Sequence, residues 1–145
     1  MEFFPETLSP EESADSYKRI NAFMEQKGFG LFAAEEKETQ EYIGFIGFNQ
    51  PAFSSDFTPC IEIGWRLHRR FWNRGFATEG AKACLEYGFS ILDFNEIVSF
   101  TSLLNTKSIN VMKKIGMTFH GEFEHPNVEW GHRLRKHLLY KISKP

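Results

Sequence analysis

The sequence predicts an α/β domain, α+β in its strand pairing, with a mixed, mostly antiparallel sheet flanked by helices. Three observations carry that prediction. First, the stretch Cys60 to Leu92 changes its hydrophobic period: Ile61, Ile63, Trp65 and Leu67 alternate as in a strand, whereas Ala77, Ala81, Leu85, Phe89 and Leu92 share one face of a helix. Second, Asp93-Phe94-Asn95 turns the chain and Glu96 to Thr101 reads as another strand, so the region forms a strand-helix-strand unit, which is parallel and right-handed. Third, strand pairs with short polar connections precede and follow this unit, and short connections impose antiparallel pairing.

Each element has its own signal. Phe3-Phe4-Pro5 is an apolar anchor, and Ser9-Pro10-Glu11-Glu12 starts a helix with proline at its first position and acids in its first turn. That helix is predicted from Pro10 to Gln26, buries Tyr17, Ile20, Phe23 and Met24, and is stopped by Lys27-Gly28. Gly30 to Glu36 and Tyr42 to Phe48 form a hairpin around a polar turn, with Gly44 and Gly47 marking close packing or a bulge. Asn49 to Pro59 is a loop. Asn105 caps a helix over Thr106 to Ile115, with Ile109, Met112 and Ile115 inward, lysines in its last turn and Gly116 ending it. Thr118 to Glu124 and Arg133 to Ile142 close the chain as a second hairpin. No repeat or linker interrupts this pattern, so residues 1–145 are expected to form a single domain.

Composition excludes several classes. Hydrophobic residues at 41% and aromatic residues at 16% are too many for a disordered chain. The net charge of -2 combines an acidic N-terminal part with four arginines between Arg66 and Arg74, too local a basic patch for nucleic-acid binding. Cys60 and Cys84 form no paired motif, and His120, His125, His132 and His137 match no ligand spacing, so no metal is expected and the histidines read as surface residues. Neither a membrane span nor a signal sequence is legible, which gives a cytoplasmic expectation.

The turn from Arg69 to Phe76 carries Arg69, Arg70 and Arg74 and sets Gly75 just before the helix, where free N–H groups and the positive helix end favour an anion. The run Trp72-Asn73-Arg74-Gly75-Phe76-Ala77-Thr78-Glu79 resembles the acetyl-CoA-binding motif of the GNAT superfamily of N-acetyltransferases, usually Gln/Arg-x-x-Gly-x-Gly/Ala. Trp72 stands at the first position, Gly75 and Ala77 at the two small ones. Tryptophan followed by Ala-Thr-Glu is similar to the branch that acetylates ribosomal-protein N-termini and to its small-molecule relatives. That branch commonly has glycine at Asn73, and asparagine tolerates left-handed backbone better than most residues. Asn105-x-x-Ser108 followed by Lys114-x-Gly116-Met117 resembles the second motif of the same branch.

The resemblance implies a sheet splayed between the parallel strands 61–67 and 96–101. It implies that Trp65, Arg66 and Leu67 hold the pantetheine arm of acetyl-CoA, that Arg74, Gly75, Phe76 and Ala77, flanked by Asn73 and Thr78, hold its pyrophosphate, and that Asn105 and Ser108 meet the arm from the other side. It also implies direct attack by a primary amine in a ternary complex, the oxyanion meeting backbone N–H near Trp65. Glu62, the one carboxylate of its strand, is either the base, directly or through water, or a polar residue on the solvent side. As a base, its loss is expected to cost most at low pH. Relatives use a tyrosine where Met112 stands, so Ser108 either donates to sulfur, positions it, or only caps its helix. A non-catalytic acyl-CoA-binding module and a structural domain are the alternative readings. Relatives usually begin with a strand and helix before the segment matching Phe3-Phe4-Pro5, so strand Gly30 to Glu36 is expected at the sheet edge, covered by a second copy in a homodimer or by the helix Pro10 to Gln26.

Overall fold

Ser9 starts the first helix as its sequence demands: its Oγ accepts the Glu12 N–H at 3.2 Å while the Glu12 carboxylate accepts the Ser9 N–H at 2.8 Å. The structure, a computed structural model, describes residues 9–145, and the anchor Phe3-Phe4-Pro5 lies outside them. Helix α1 (Pro10–Lys27) ends on Gly28 in left-handed backbone, φ 79°. Its inner side is half-buried Ile20, Phe23 and Met24. Tyr17, expected in that stripe, is 58% exposed, a correction that follows from α1 resting on the sheet by a narrow strip.

Strands β1 (Leu31–Glu35), β2 (Tyr42–Asn49) and β3 (Glu62–Leu67) lead through a short 3-10 turn (Arg69–Phe71) to α2 (Phe76–Ser90), then to β4 (Glu96–Ser102), α3 (Thr106–Lys114), β5 (Thr118–Glu124) and β6 (Lys136–Ser143). They build one six-stranded sheet in the order β1-β2-β3-β4-β6-β5. Neighbours are antiparallel except β3 and β4, which are parallel as the strand-helix-strand reading requires. Strand β6 begins three residues later than Arg133, because the Leu134 N–H bonds the His132 ring and the Arg135 N–H bonds the His132 carbonyl, folding that stretch into a turn.

The core lies between the sheet and the helices. Phe48, Ile63 and Ile97 from the sheet meet Ala81, Leu85 and Phe89 of α2 and Met112 of α3. Met112 is 1% exposed, so the position where relatives carry tyrosine is here a packing position. Both expected roles of the β2 glycines are realised. A Cβ at Gly47 would lie 2.2 Å from the Gly30 carbonyl oxygen, and one at Gly44 would lie 2.1 Å from the Arg66 carbonyl oxygen; Gly44 also sits opposite the register shift at Ala34/Glu35. Among the described residues β1 pairs with β2 alone, Phe23 and Met24 of α1 packing beside Gly30 at its start. No helix among them is long and apolar enough to cross a membrane.

Candidate active site

The two parallel strands meet only briefly. β3 pairs with β2 at six positions, yet with β4 only at Glu62↔Val98. The His68 N–H bonds Ile43 and the Val98 N–H bonds the Ile61 carbonyl, so even-numbered residues of β3 turn their main-chain groups to β2 and odd-numbered ones to β4. Past Glu62 side chains bridge the widening gap: Ser99 Oγ donates to the Ile63 carbonyl at 2.9 Å, and the Trp72 indole donates to the Leu67 carbonyl at 2.9 Å. Between these two, Trp65 turns its main-chain N–H and C=O into the opening. The expected main-chain contact at Trp65 is therefore available, whereas the Leu67 carbonyl is already taken.

Beside the opening lies a cavity of about 390 Å³ lined by Trp65, Leu67, Gly75, Ala77, Asn105 and Lys114 among others. Asn73 and Gly75 both adopt left-handed backbone, φ 61° and 81°, so the asparagine does supply the conformation that glycine supplies in relatives. Gly75 caps α2 without a side chain, leaving the N–H groups of Phe76, Ala77 and Thr78 toward this cavity. Arg74 departs from expectation. Its Nη2 binds Glu36 Oε1 at 3.0 Å, and Thr39 Oγ1 donates to the other carboxylate oxygen at 2.8 Å, so the arginine ties the turn to the β1–β2 connection and its side chain is absent from the cavity lining. The cations on this cavity that the motif does not announce are Lys107, whose Nζ lies 4.5 Å from the centre of the Trp72 ring, and Lys114.

On the far side of the gap, Asn105 is the cap of α3: its Oδ1 accepts the Ser108 N–H at 3.2 Å and its Nδ2 donates to Thr101 Oγ1 at 3.1 Å. Ser108 Oγ accepts the Trp65 indole N–H at 3.2 Å. Because the indole can only donate, the Ser108 hydroxyl proton is left for another acceptor.

A second cavity of about 820 Å³ opens on the other face of the same gap, lined by Glu62, Trp65, Arg66, Ser108 and, farther in, Phe100 and His137. Trp65, Arg66, Asn105 and Ser108 line both cavities. Burial pushes the Glu62 carboxyl up to about 8, opposed by a hydrogen bond from Asn49, which places its titration beside neutral pH. His125 and His137 correct the expectation of surface histidines: both are half-buried, their rings 5.0 Å apart, and burial lowers both, His125 to about 4. Cys84 packs against the core, and burial pushes its thiol up to about 11, so it is no nucleophile at neutral pH. No cluster of three or more His, Cys, Asp or Glu suited to a metal occurs among the described residues.

The opened strand pair thus lies beside a helix start that has no side-chain cap, and the comparisons supply the family. Residues 1–118 match the acetyltransferase (GNAT) domain family, and the chain belongs to it. It is 33% identical over 124 residues to YnaD, an uncharacterized N-acetyltransferase of Bacillus subtilis (strain 168), across 86% of this chain and 69% of that protein. It is 38% identical over 96 residues to the uncharacterized protein YkkB of the same organism, across 65% of this chain and 55% of the relative. The chain thus spans from 55% to 69% of the length of these two curated relatives. Among solved structures, an acetyltransferase from Agrobacterium tumefaciens str. C58 superposes with TM-score 0.72 at 28% identity, covering 96% of this chain and 74% of that one. Ribosomal-protein-S5-alanine acetyltransferase from Vibrio fischeri shares the fold at TM-score 0.76 and 14% identity, covering 97% and 78%.

Proposed function

We propose that this chain transfers an acetyl group from acetyl-CoA to a primary amine by direct attack, in the manner of the branch that acetylates ribosomal-protein N-termini and small amines. The observation that carries the reading is that two cavities meet across the opened strands, one beside the α2 start and one bearing Glu62, with Trp65 and Ser108 common to both. The residues present fit acetyl-CoA. Unpartnered main chain at Trp65 suits an amide-bearing arm, and the α2 N–H groups with Lys107 and Lys114 suit its phosphates. When bound, acetyl-CoA supplies the thioester carbonyl that the amine attacks.

The chain's own groups then have distinct tasks. Glu62 takes the proton of the incoming ammonium, directly or through a water, since a carboxyl near 8 is matched to that task. The Trp65 N–H meets the negative charge that develops on the carbonyl oxygen. Ser108, held by the Trp65 indole, turns its own proton toward the departing sulfur. Relatives' names range from ribosomal-protein-S5-alanine acetyltransferase to spermidine N(1)-acetyltransferase, so an amine acceptor is the shared chemistry.

Thiol release is the test, with acetyl-CoA binding followed by calorimetry. CoA release that requires an added amine is the expected result, and tight acetyl-CoA binding without release for any amine would replace it with the non-catalytic binding module. The outer side of β1, unpaired among the described residues, also favours a second copy in a homodimer, for which light scattering should give twice the monomer mass; a monomer mass across micromolar concentrations would remove it.

A further inference from the structure

The inner end of the larger cavity is walled by rings. Phe100 of β4, His125 and His137 line it. Behind them Phe53 and Phe57, from the connection between β2 and β3, and Phe123 of β5 complete a cluster: Phe53 lies 4.7 Å from His125, Phe100 lies 5.5 Å from Phe123, and Phe57 lies 5.0 Å from Phe123. Many of these contacts are edge-to-face, so the rings support one another as a rigid apolar surface. Burial keeps both imidazoles uncharged at neutral pH.

The charges around this surface are unevenly distributed. Among the described residues lining the cavity, Glu62 is the one carboxylate, and the guanidinium of Arg19 lines it as well. Arg135 stands beside His125 near the ring wall and pairs with Glu124 at 3.7 Å.

Resting on the acetyl transfer proposed above, we infer that the acceptor is a monoamine bearing an aromatic or comparably large apolar group, which packs on Phe100, His125 and His137 while the amine lies at Glu62. A polyamine is a poor fit on the same grounds. Its first ammonium would use the single carboxylate of the described lining, and its second would lose hydration beside neutral rings and Arg135, where the described carboxylate, Glu124, already pairs with that arginine at 3.7 Å. A ring placed there instead exchanges water for apolar contact.

Matched amines on the unaltered protein test this without depending on any variant. 2-Phenylethylamine should exceed ethylamine and spermidine in kcat/KM by at least about tenfold, the gain expected for burying a phenyl group. Phe100→Leu should raise KM for 2-phenylethylamine and leave KM for ethylamine unchanged; if that variant fails to fold, His137→Gln makes the same comparison on the same wall. Equal kcat/KM for the three amines, or a preference for spermidine, would overturn the inference while leaving acetyl transfer standing. If no amine is acetylated, the proposed reaction fails, and calorimetric titration of the same amines into protein loaded with CoA decides the inference separately: tighter binding of 2-phenylethylamine than of ethylamine supports it, and equal binding overturns it.

Discussion

Replacing Gly75 by glutamate is expected to weaken acetyl-CoA binding by about 100-fold or more. Gly75 sits at φ 81°, where a residue with a Cβ loses about 1–2 kcal/mol of backbone energy. Apart from its chain neighbours, no atom of the described residues lies within 4 Å of the place a Cβ would occupy there, so the glutamate can be accommodated and the fold should survive. What it cannot do is leave the α2 start attractive to phosphate. A carboxylate there occupies the approach to the N–H groups of Phe76, Ala77 and Thr78, and repulsion at contact distance adds about 1–4 kcal/mol. Gly75→Ala bears the backbone cost without the charge; that cost falls on folding, so the alanine variant should lose about 1–2 kcal/mol of stability and keep its affinity within a fewfold of the parent. Calorimetry measures both, with circular dichroism confirming the fold. A glutamate variant that binds like the parent would refute the assignment of this turn to the phosphates.

Replacing Glu62 by glutamine should lower kcat/KM by about 10- to 1000-fold at pH 9, with a smaller deficit below pH 7. This direction reverses the expectation formed from an ordinary carboxylate. With its titration near 8, the Glu62 carboxyl is mostly protonated at pH 7 and becomes a base only as the pH rises, so the parent and the variant converge at low pH. The ratio of the two profiles removes the contribution of the amine's own titration. The same group makes a stability prediction with a definite sign. A carboxyl whose folded value lies above its unfolded value near 4.5 stabilises the fold most below 4.5, and that contribution is lost as pH rises through 8. Glu62→Gln should therefore match the parent in thermal stability near pH 4 and exceed it above pH 8, by about 1–3 kcal/mol once the partial solvent access of the site is allowed for. A flat activity ratio with pH would return Glu62 to a structural role.

What could be read from the sequence was local. The change of period at Gly75, the Asn105 cap and the left-handed Asn73 each depend on residues within a few positions of one another, the parallel unit follows from three such local patterns in succession, and the structure contains each. What escaped depends on side chains that meet across the fold. Nothing near Arg74 announces Glu36, 38 residues earlier, as its partner, and the separation of 43 positions between Trp65 and Ser108 conceals a hydrogen bond that a spacing argument cannot see. The histidines show the limit most clearly. His125 and His137 match no local motif, yet the β5–β6 register sets Phe123 opposite His137, and Phe53 of the β2–β3 loop lies against Phe123 and His125. The strand pattern contained part of that signal. The β2–β3 loop did not. The depth of Glu62 was equally hidden, because alternation gives a residue's face and not the desolvation it meets there.

The single Glu62↔Val98 step has a mechanical consequence. In the backbone, β1-β2-β3 and β4-β6-β5 are two three-stranded plates joined at one end of one strand pair, with α2, the Ser99 hydroxyl and the Trp65–Ser108 hydrogen bond among the other ties. Widening the gap between Trp65 and Asn105 therefore breaks few backbone hydrogen bonds. An amide-bearing arm lying in that gap would supply the rungs the ladder lacks and couple the plates into one cooperative body. Occupancy and stiffness then become the same quantity, with the first substrate acting as the missing part of the sheet that must be rigid when the second one reacts.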